Sequence, residues 1–378
     1  LQTLNYTMQF KDVIAQNHLK KQFIASAKNN KVSQAMLFLG NEGTGKLSMA
    51  LAFAQYLNCE NPTEDDSCGV CASCVKTQKL IHPDIFYTYP TIGAKSVAKD
   101  DIVKWREILS NTSYITYNDW IAYLDNENKQ GNITAEECNQ IIRQHGLRHF
   151  EGKYKVQIIW GAEYLRKEGN RLLKLIEEPP ENTIFILIAQ NQDEILPTIL
   201  SRTQLVKFNA LTLEDIKSNL LKNFQISEAE AHKIAQIADG SWKDAVSLIG
   251  NTENDYFQNF RQWMLFIIQL RARPNLEFAN GLINWCDEMG STGRQNQKAF
   301  LKFALFFIRE GFASQNEVFS KLTEEEQDTA LKMINTFSWQ KMISISQIIN
   351  NLHYEIVRNA NAKIAFYSTS MKIKALLN

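Results

Sequence analysis

The sequence predicts a parallel α/β domain built around a phosphate loop, followed by a helical C-terminal half. Three observations carry this reading. Short apolar runs alternate with helical segments as far as Phe208. The first of these runs leads directly into Gly40-Asn41-Glu42-Gly43-Thr44-Gly45-Lys46-Leu47, nearly a complete phosphate-loop pattern. Beyond Phe208 no strand pattern recurs, and apolar residues fall at helical spacing. Strands alternating with helices imply a parallel sheet with ligand chemistry at its carboxyl edge.

Residues 8 to about 57 read as helix, strand, phosphate loop and helix. Ala35-Met36-Leu37-Phe38-Leu39 is a short apolar run ending at a glycine, as a buried parallel strand should. Ala50, Leu51, Phe53, Ala54 and Leu57 mark the helix after Lys46. A cysteine-rich segment follows, then His82-Pro83-Asp84 and a strand at Ile85-Phe86-Tyr87-Thr88-Tyr89. Residues 91 to about 132 are polar with scattered aromatics and read as an inserted surface excursion with some helix. Thr134, with Glu137 three residues on, suits the start of a helix running to His145. Val156-Gln157-Ile158-Ile159-Trp160 is a further buried strand. A helix from about Asn170 to Glu178 is stopped by Pro179-Pro180. Ile184 to Ala189 is the next strand, Ile195 to Leu200 a short helix, and Leu205-Val206-Lys207-Phe208 closes the sheet. Leu213 to about Ile249 reads as a few short helices with Gly240-Ser241 between them. From Asp255 to Asn378 the period is helical, with Phe257, Phe260, Met264 and Ile268 on one face and Phe300, Phe303, Ala304, Phe307 and Ile308 on another. Domain boundaries drawn from the loss of strands give 8–208, 209–252 and 255–378.

The chain has 378 residues, enough for two or three domains. Lysine plus arginine equals aspartate plus glutamate at 41 each, so no global charge draws it to nucleic acid or membrane. No apolar run reaches membrane-spanning length and no signal-peptide pattern opens the chain, so the expectation is a cytoplasmic protein without a membrane partner. Six cysteines in a chain this long do not suggest a disulfide scaffold. Cys138 and Cys286 read as ordinary thiols, and Leu1 to Thr7, ahead of Met8, receive no function.

In the phosphate loop, Gly40, Gly43 and Gly45 let backbone N–H groups face an anion, and Lys46 would place a positive charge on the outer phosphates. ATP or ADP is therefore a possible ligand, weakly bound or absent. Position 47 is Leu, where the hydroxyl that holds magnesium belongs. Ser48 is one residue late and should face another way. The strand ending at Trp160-Gly161 lacks the Asp-Glu pair that holds magnesium and activates water, and Glu163 lies beyond it and should point elsewhere. The same glycines also suit a strand-to-helix turn with no ligand, and the sequence leaves both readings open.

Cys59, Cys68, Cys71 and Cys74 lie within sixteen residues, at a spacing that lets four thiolates converge on one tetrahedral zinc ion. Four thiolates leave no open coordination position, so the zinc would be structural. His82 is a conceivable ligand but reads better as punctuation beside Pro83. Arg202, at the end of the short helix, could reach a neighbour's phosphate site as an arginine supplied in trans, or be a solvated surface residue. Lys243, near a helix start, could face the nucleotide from a lid or be a surface lysine.

Taken in order, these pieces resemble the clamp-loader subunits of bacterial DNA polymerase III, within the AAA+ superfamily. The matching stretches are Ser33-Gln34-Ala35, the loop at 40–47, the four cysteines, His82-Pro83-Asp84, Glu151-Gly152-Lys153-Tyr154-Lys155-Val156, Leu172-Leu173-Lys174 with Glu177-Glu178-Pro179-Pro180, Leu196-Pro197-Thr198-Ile199-Leu200-Ser201-Arg202, Gly240-Ser241 and Arg358-Asn359-Ala360-Asn361. The family's Ser-Arg-Cys reads Ser201-Arg202-Thr203 here, keeping the arginine, and Lys243 sits where a lid arginine usually lies. Residues 91–132 exceed the compact family pattern. The resemblance implies a RecA-like AAA+ domain with a zinc module, a small helical lid and an all-α C-terminal collar. Because the metal hydroxyl and acidic pair are missing, it points to a delta-prime-type stator without autonomous ATPase activity more than to the gamma/tau motor, which remains the alternative. The implied partners are the gamma/tau and delta subunits, the sliding clamp and primed DNA, within a holoenzyme that is a nucleotidyltransferase. A free-standing zinc-dependent DNA-binding module is disfavoured by the neutral charge and the closed Cys₄ set.

Overall fold

A computed structural model describes residues 8–124, 130–146, 149–249, 256–273, 275–315, 322–357 and 360–377. Leu1–Thr7, most of the polar run at 126–132 and the Arg358-Asn359 pair lie outside the described residues. The described residues form two compact units, one of residues 1–223 with 240–243 and one of residues 224–239 with 244–378. Residues 209–252 are thus divided between the two.

In the first unit, α1 (Asn17–Lys28) precedes β1 (Ala35–Leu39), α2 (Lys46–Leu57), α3 (Ala72–Gln78) and β2 (Ile85–Thr88). Then come α4 (Ile102–Asn111), α5 (Tyr117–Tyr123), α6 (Ala135–His145), β3 (Lys155–Trp160), α7 (Leu173–Glu177), β4 (Thr183–Ala189), α8 (Pro197–Leu200), β5 (Gln204–Lys207) and α9 (Leu213–Asn223). The helix expected from Asn170 begins only at Leu173, because a 3₁₀ stretch over Ala162–Leu172, broken at Arg166, precedes it.

The five strands are parallel in the order β2-β3-β4-β1-β5. β3 and β4 are buried along their whole lengths, which is why they read as unbroken apolar runs. Side chains alternate between the two faces of a strand. Ile184, Ile186 and Ile188 therefore join Met36, Phe38, Val156 and Ile158 in one core, while Phe185, Leu187 and Ala189 join Ala35, Leu37 and Ile159 in the other. α2 is buried on every side, which matches its all-round apolar sequence.

The excursion after β2 is not a surface appendage. Trp105 on α4 and Trp120 on α5 are fully buried and belong to the same core as Tyr89 and Trp160. Tyr89 stacks on Trp105 with ring centroids 4.1 Å apart, and Trp105 meets Trp120 edge-on at 5.2 Å. The indole of Trp120 donates to the Pro90 carbonyl at 2.7 Å. At the base of the segment the buried Glu137 carboxylate accepts hydrogen bonds from Thr88 Oγ1 and the Ala98 amide. The polar average of the segment hid an amphipathic helix whose Trp105 and Leu109, four residues apart, face inward.

In the second unit, α10 (Glu228–Ala238), most of α11 (Trp242–Leu248), α12 (Tyr256–Ala272), α13 (Leu276–Ser291), α14 (Arg294–Gln315), α15 (Glu324–Val357) and α16 (Ala362–Leu377) pack without strands. The two faces expected from period alone are buried as anticipated, except that Ile268 is half-buried and Ile267 takes the core position. Trp263 and Trp285 stack in parallel at 5.2 Å, and the Trp263 indole donates to Ser370 Oγ at 2.8 Å. No helix among the described residues is long and apolar enough to cross a membrane.

Candidate functional site

The phosphate loop runs from the carboxyl end of β1 to the first turn of α2. Gly43 and Gly45 adopt φ of +73° and +89°, a region that disfavours residues with a β-carbon. Each also meets protein at close range. A β-carbon on Gly43 would lie 2.1 Å from Ser241 Oγ, and one on Gly45 would lie 3.0 Å from the Tyr114 hydroxyl. The glycines are thus required by packing within the chain, whether or not an anion binds. Gly40 immediately follows β1, and its carbonyl, with that of Asn41, accepts hydrogen bonds from Lys46 Nζ at 2.5 and 2.6 Å. Burial lowers the Lys46 pKa to about 8, against the opposing pull of Glu42 and Glu163.

Leu47 is buried and lines the cavity at the position of the absent hydroxyl. Ser48 is not among the residues lining the cavity, but its hydroxyl contacts that of Ser113, which is. Trp160 and Gly161 close the cavity at the end of β3. Glu163 does not point elsewhere: it lines the same cavity and sits in the field of Lys46. Its carboxylate accepts N–H groups from Gln190 and Asn191 beyond β4, and burial raises its pKa in spite of them. Sequence reasoning missed it because the turn at Gly161, with φ of +73°, brings the chain back over the sheet edge.

The four cysteine sulfurs lie within 4.8 Å of one another, among residues where a metal ion can be held. Cys68 Sγ and Cys74 Sγ are 3.9 Å apart, close to the spacing of about 3.8 Å that tetrahedral Zn–S bonds of about 2.3 Å require. Amides donate to the sulfurs in succession: Cys68 N to Cys59, Cys71 N to Cys68 and Cys74 N to Cys71, at 3.2 to 3.4 Å. Such donors favour thiolate. Amide hydrogen bonds, led by that of Val70, pull Cys68 to about 6, whereas burial raises Cys59 and Cys74. The donor set, spacing and amide cradle fit a closed, four-thiolate metal site. The knuckle is tied to the start of the domain. Asp66 accepts from the amides of Phe10 and Lys11 at 3.0 Å, and Gln9 Nε2 donates to the Ser67 carbonyl.

His82 stands outside the sulfur cluster, its Nδ1 accepting from the Asp84 amide at 3.1 Å. Asp84 in turn accepts the amides of Phe150, Glu151 and Gly152 at 2.6 to 2.8 Å. Burial opposes its ionisation, but these three donors outweigh burial and hold its pKa below the usual value. The His82-Pro83-Asp84 and Glu151-Gly152 stretches, read separately in the sequence, are two halves of one clasp.

Arg202 is at the surface after α8, its side chain 32% exposed. Lys243 Nζ lies 3.1 Å from Asp119 Oδ2 on α5 and is not among the residues lining the cavity.

With this geometry established, the comparisons with known proteins decide the family. A family described as DNA polymerase III, delta subunit, matches residues 15–212, more than half of the chain. The chain belongs to the DNA polymerase III clamp-loader family. It is 30% identical over 247 residues to the DNA polymerase III subunit tau of Bacillus subtilis, an alignment covering 64% of this chain and 37% of that protein. Against subunit tau of Escherichia coli it is 27% identical over 246 residues, covering 63% and 32%. Against subunit gamma of Buchnera aphidicola subsp. Acyrthosiphon pisum it is 27% identical over 251 residues, covering 65% and 59%. The clamp-loader chain thus spans less than two thirds of the length of each of these relatives.

Proposed function

We propose that this chain is the non-motor, delta-prime-type subunit of a replicative clamp loader, a stator that helps place a sliding clamp on primed DNA. The observation that carries the reading is Leu47, buried against the cavity where a magnesium-binding hydroxyl belongs. Trp160-Gly161, in place of the acidic pair, supports it from a second strand. Without a metal ligand or an oriented carboxylate pair, phosphoryl transfer loses most of its electrostatic stabilisation. Arg202 then acts at the ATP site of an adjacent gamma/tau-type motor, and Lys243 belongs to the lid side of a degenerate loop. Zinc on Cys59, Cys68, Cys71 and Cys74 is structural: it crosslinks the knuckle and does no chemistry. The helical residues 255–378 form the collar that holds the subunits together, with gamma/tau and delta as partners, in the cytoplasm.

One observation favours the motor reading instead. Glu163 places a carboxylate in the cavity beside Lys46, and a water-activating base needs such a position. Its Oε1 is engaged by two amides, however, which suits an anchor for the end of β4.

The test is ATPase of the purified chain and of a loader reconstituted with motor and delta subunits. The isolated chain should show no steady turnover, and Leu47→Thr alone should not restore it. Turnover by the wild-type chain that disappears on Lys46→Ala and on Glu163→Gln would establish the motor reading.

A further inference from the structure

The cavity beside the phosphate loop is walled in part by the chain's own excursion. Ser113, Tyr114, Ile115 and Tyr117, from the excursion between β2 and β3, form one of its walls. Tyr114 is the central element. Its hydroxyl accepts the Ile14 amide at 2.8 Å and lies 3.0 Å from where a β-carbon on Gly45 would stand. Ser113 next to it meets Ser48 of α2. On the far side of the loop, the Trp242 amide donates to the Gly43 carbonyl at 3.0 Å, so the glycine turn is bound on both flanks. The free volume left is about 40 Å³, room for roughly three water molecules at about 10–15 Å³ each.

The segment that walls the cavity is rigidly based. α4 and α5 on either side of it are fixed by the Trp105–Trp120–Tyr89 stack, and Thr116 and Asp119 cap α5 reciprocally, with Asp119 also holding Lys243. Opening the cavity therefore means disturbing core aromatics, not swinging a loose loop.

We propose that Ser113–Tyr117, with Tyr114 at the centre, are a built-in occupant of the phosphate-loop pocket that excludes nucleoside di- and triphosphates. The excursion thereby converts an anion-binding loop into a fixed structural turn. This rests on the non-motor reading, for which it supplies a second, steric reason beyond the missing metal ligand.

The experiment measures binding of a fluorescent ADP analogue by anisotropy, with unlabelled ADP as competitor, on the full chain. Wild type and Tyr114→Phe, which keeps the ring, should show no saturable binding. Tyr114→Ala and Tyr114→Ser should gain competable binding, tighter than wild type by about tenfold or more, and the gain should vanish when Lys46→Ala is added. Saturable ADP binding by the wild-type chain would overturn the proposal, whatever the variants do. So would either small-residue variant if it keeps wild-type circular dichroism yet binds no better than wild type. ATP turnover by wild type would sink the non-motor reading, whereas nucleotide binding without turnover would sink only the plug.

Discussion

Arg202 Nε donates to Glu177 Oε2 across 2.9 Å, and its Nη1 donates to the Thr198 carbonyl at 3.1 Å. The arginine is thus tethered to its own chain between α7 and α8. With 32% and 55% of the two side chains exposed, such a pair contributes about 0–1 kcal/mol, so releasing the guanidinium for a neighbouring site costs little. If the stator reading holds, Arg202→Ala should leave folding and assembly intact while slowing hydrolysis at the neighbouring motor site by on the order of 10³-fold. Glu177→Gln should leave that hydrolysis within a few-fold of wild type. Both are read by DNA-stimulated ATPase and clamp loading in the reconstituted complex. Total ATPase should fall only in part and loading further; unchanged values with Arg202→Ala would return the residue to an ordinary surface role.

The purified chain should carry close to one zinc, measurable by elemental analysis. Cys71→Ser removes one sulfur and the acceptor for the Cys74 amide, and should lower both bound zinc and the melting temperature. Chelation of the wild type should release amide protection at Phe10 and Lys11, because Asp66 ties them to the knuckle. A natively folded chain free of metal would refute the assignment.

Lys46 gives a pH signature. Its pKa falls from 10.5 to about 8 on folding. The unfolded chain therefore binds more protons than the folded chain across that interval, and stability rises with pH there. The comparison is wild type against Lys46→Met in denaturant titrations between about pH 7 and 10. Wild type should gain on the variant as pH rises through 8, by an amount on the order of 3 kcal/mol at most. A difference that stays flat with pH would mean that Lys46 is not buried against the carbonyls of Gly40 and Asn41.

Asp84 gives the same sign of pH dependence in the acid range, but there the ionised form is the one the fold favours. Its pKa is depressed on folding, so its contribution is present above the ordinary aspartate range and is lost as pH falls through the folded value. Asp84→Ala strands three amides and should cost about 2–4 kcal/mol. Asp84→Asn, which can still accept a hydrogen bond, should cost less. Urea denaturation near neutral pH separates them, and equal, negligible losses would remove the clasp.

The sequence by itself determined the parallel sheet, since strands buried on both faces must read as unbroken apolar runs, as 156–160 and 184–189 do. It also determined the sulfur cluster, because ligands within sixteen residues are brought together by local chain geometry, and the defect at Leu47, which is a matter of residue type at a fixed place in a turn. The helical second half was legible from the period of its phenylalanines. Only the tertiary structure decided what depends on contacts distant in sequence. Glu163 entered the cavity through the turn at Gly161, Lys243 turned to Asp119, and Asp84 found its partners 66 to 68 residues away. The excursion at 91–132 shows the reason most clearly. Its residues are polar on average, and nothing local reveals that Trp105, Trp120 and Tyr114 share a destination. Burial there is set by the facing surface of Tyr89, Trp160 and the glycine loop, which the chain supplies only once the sheet has formed.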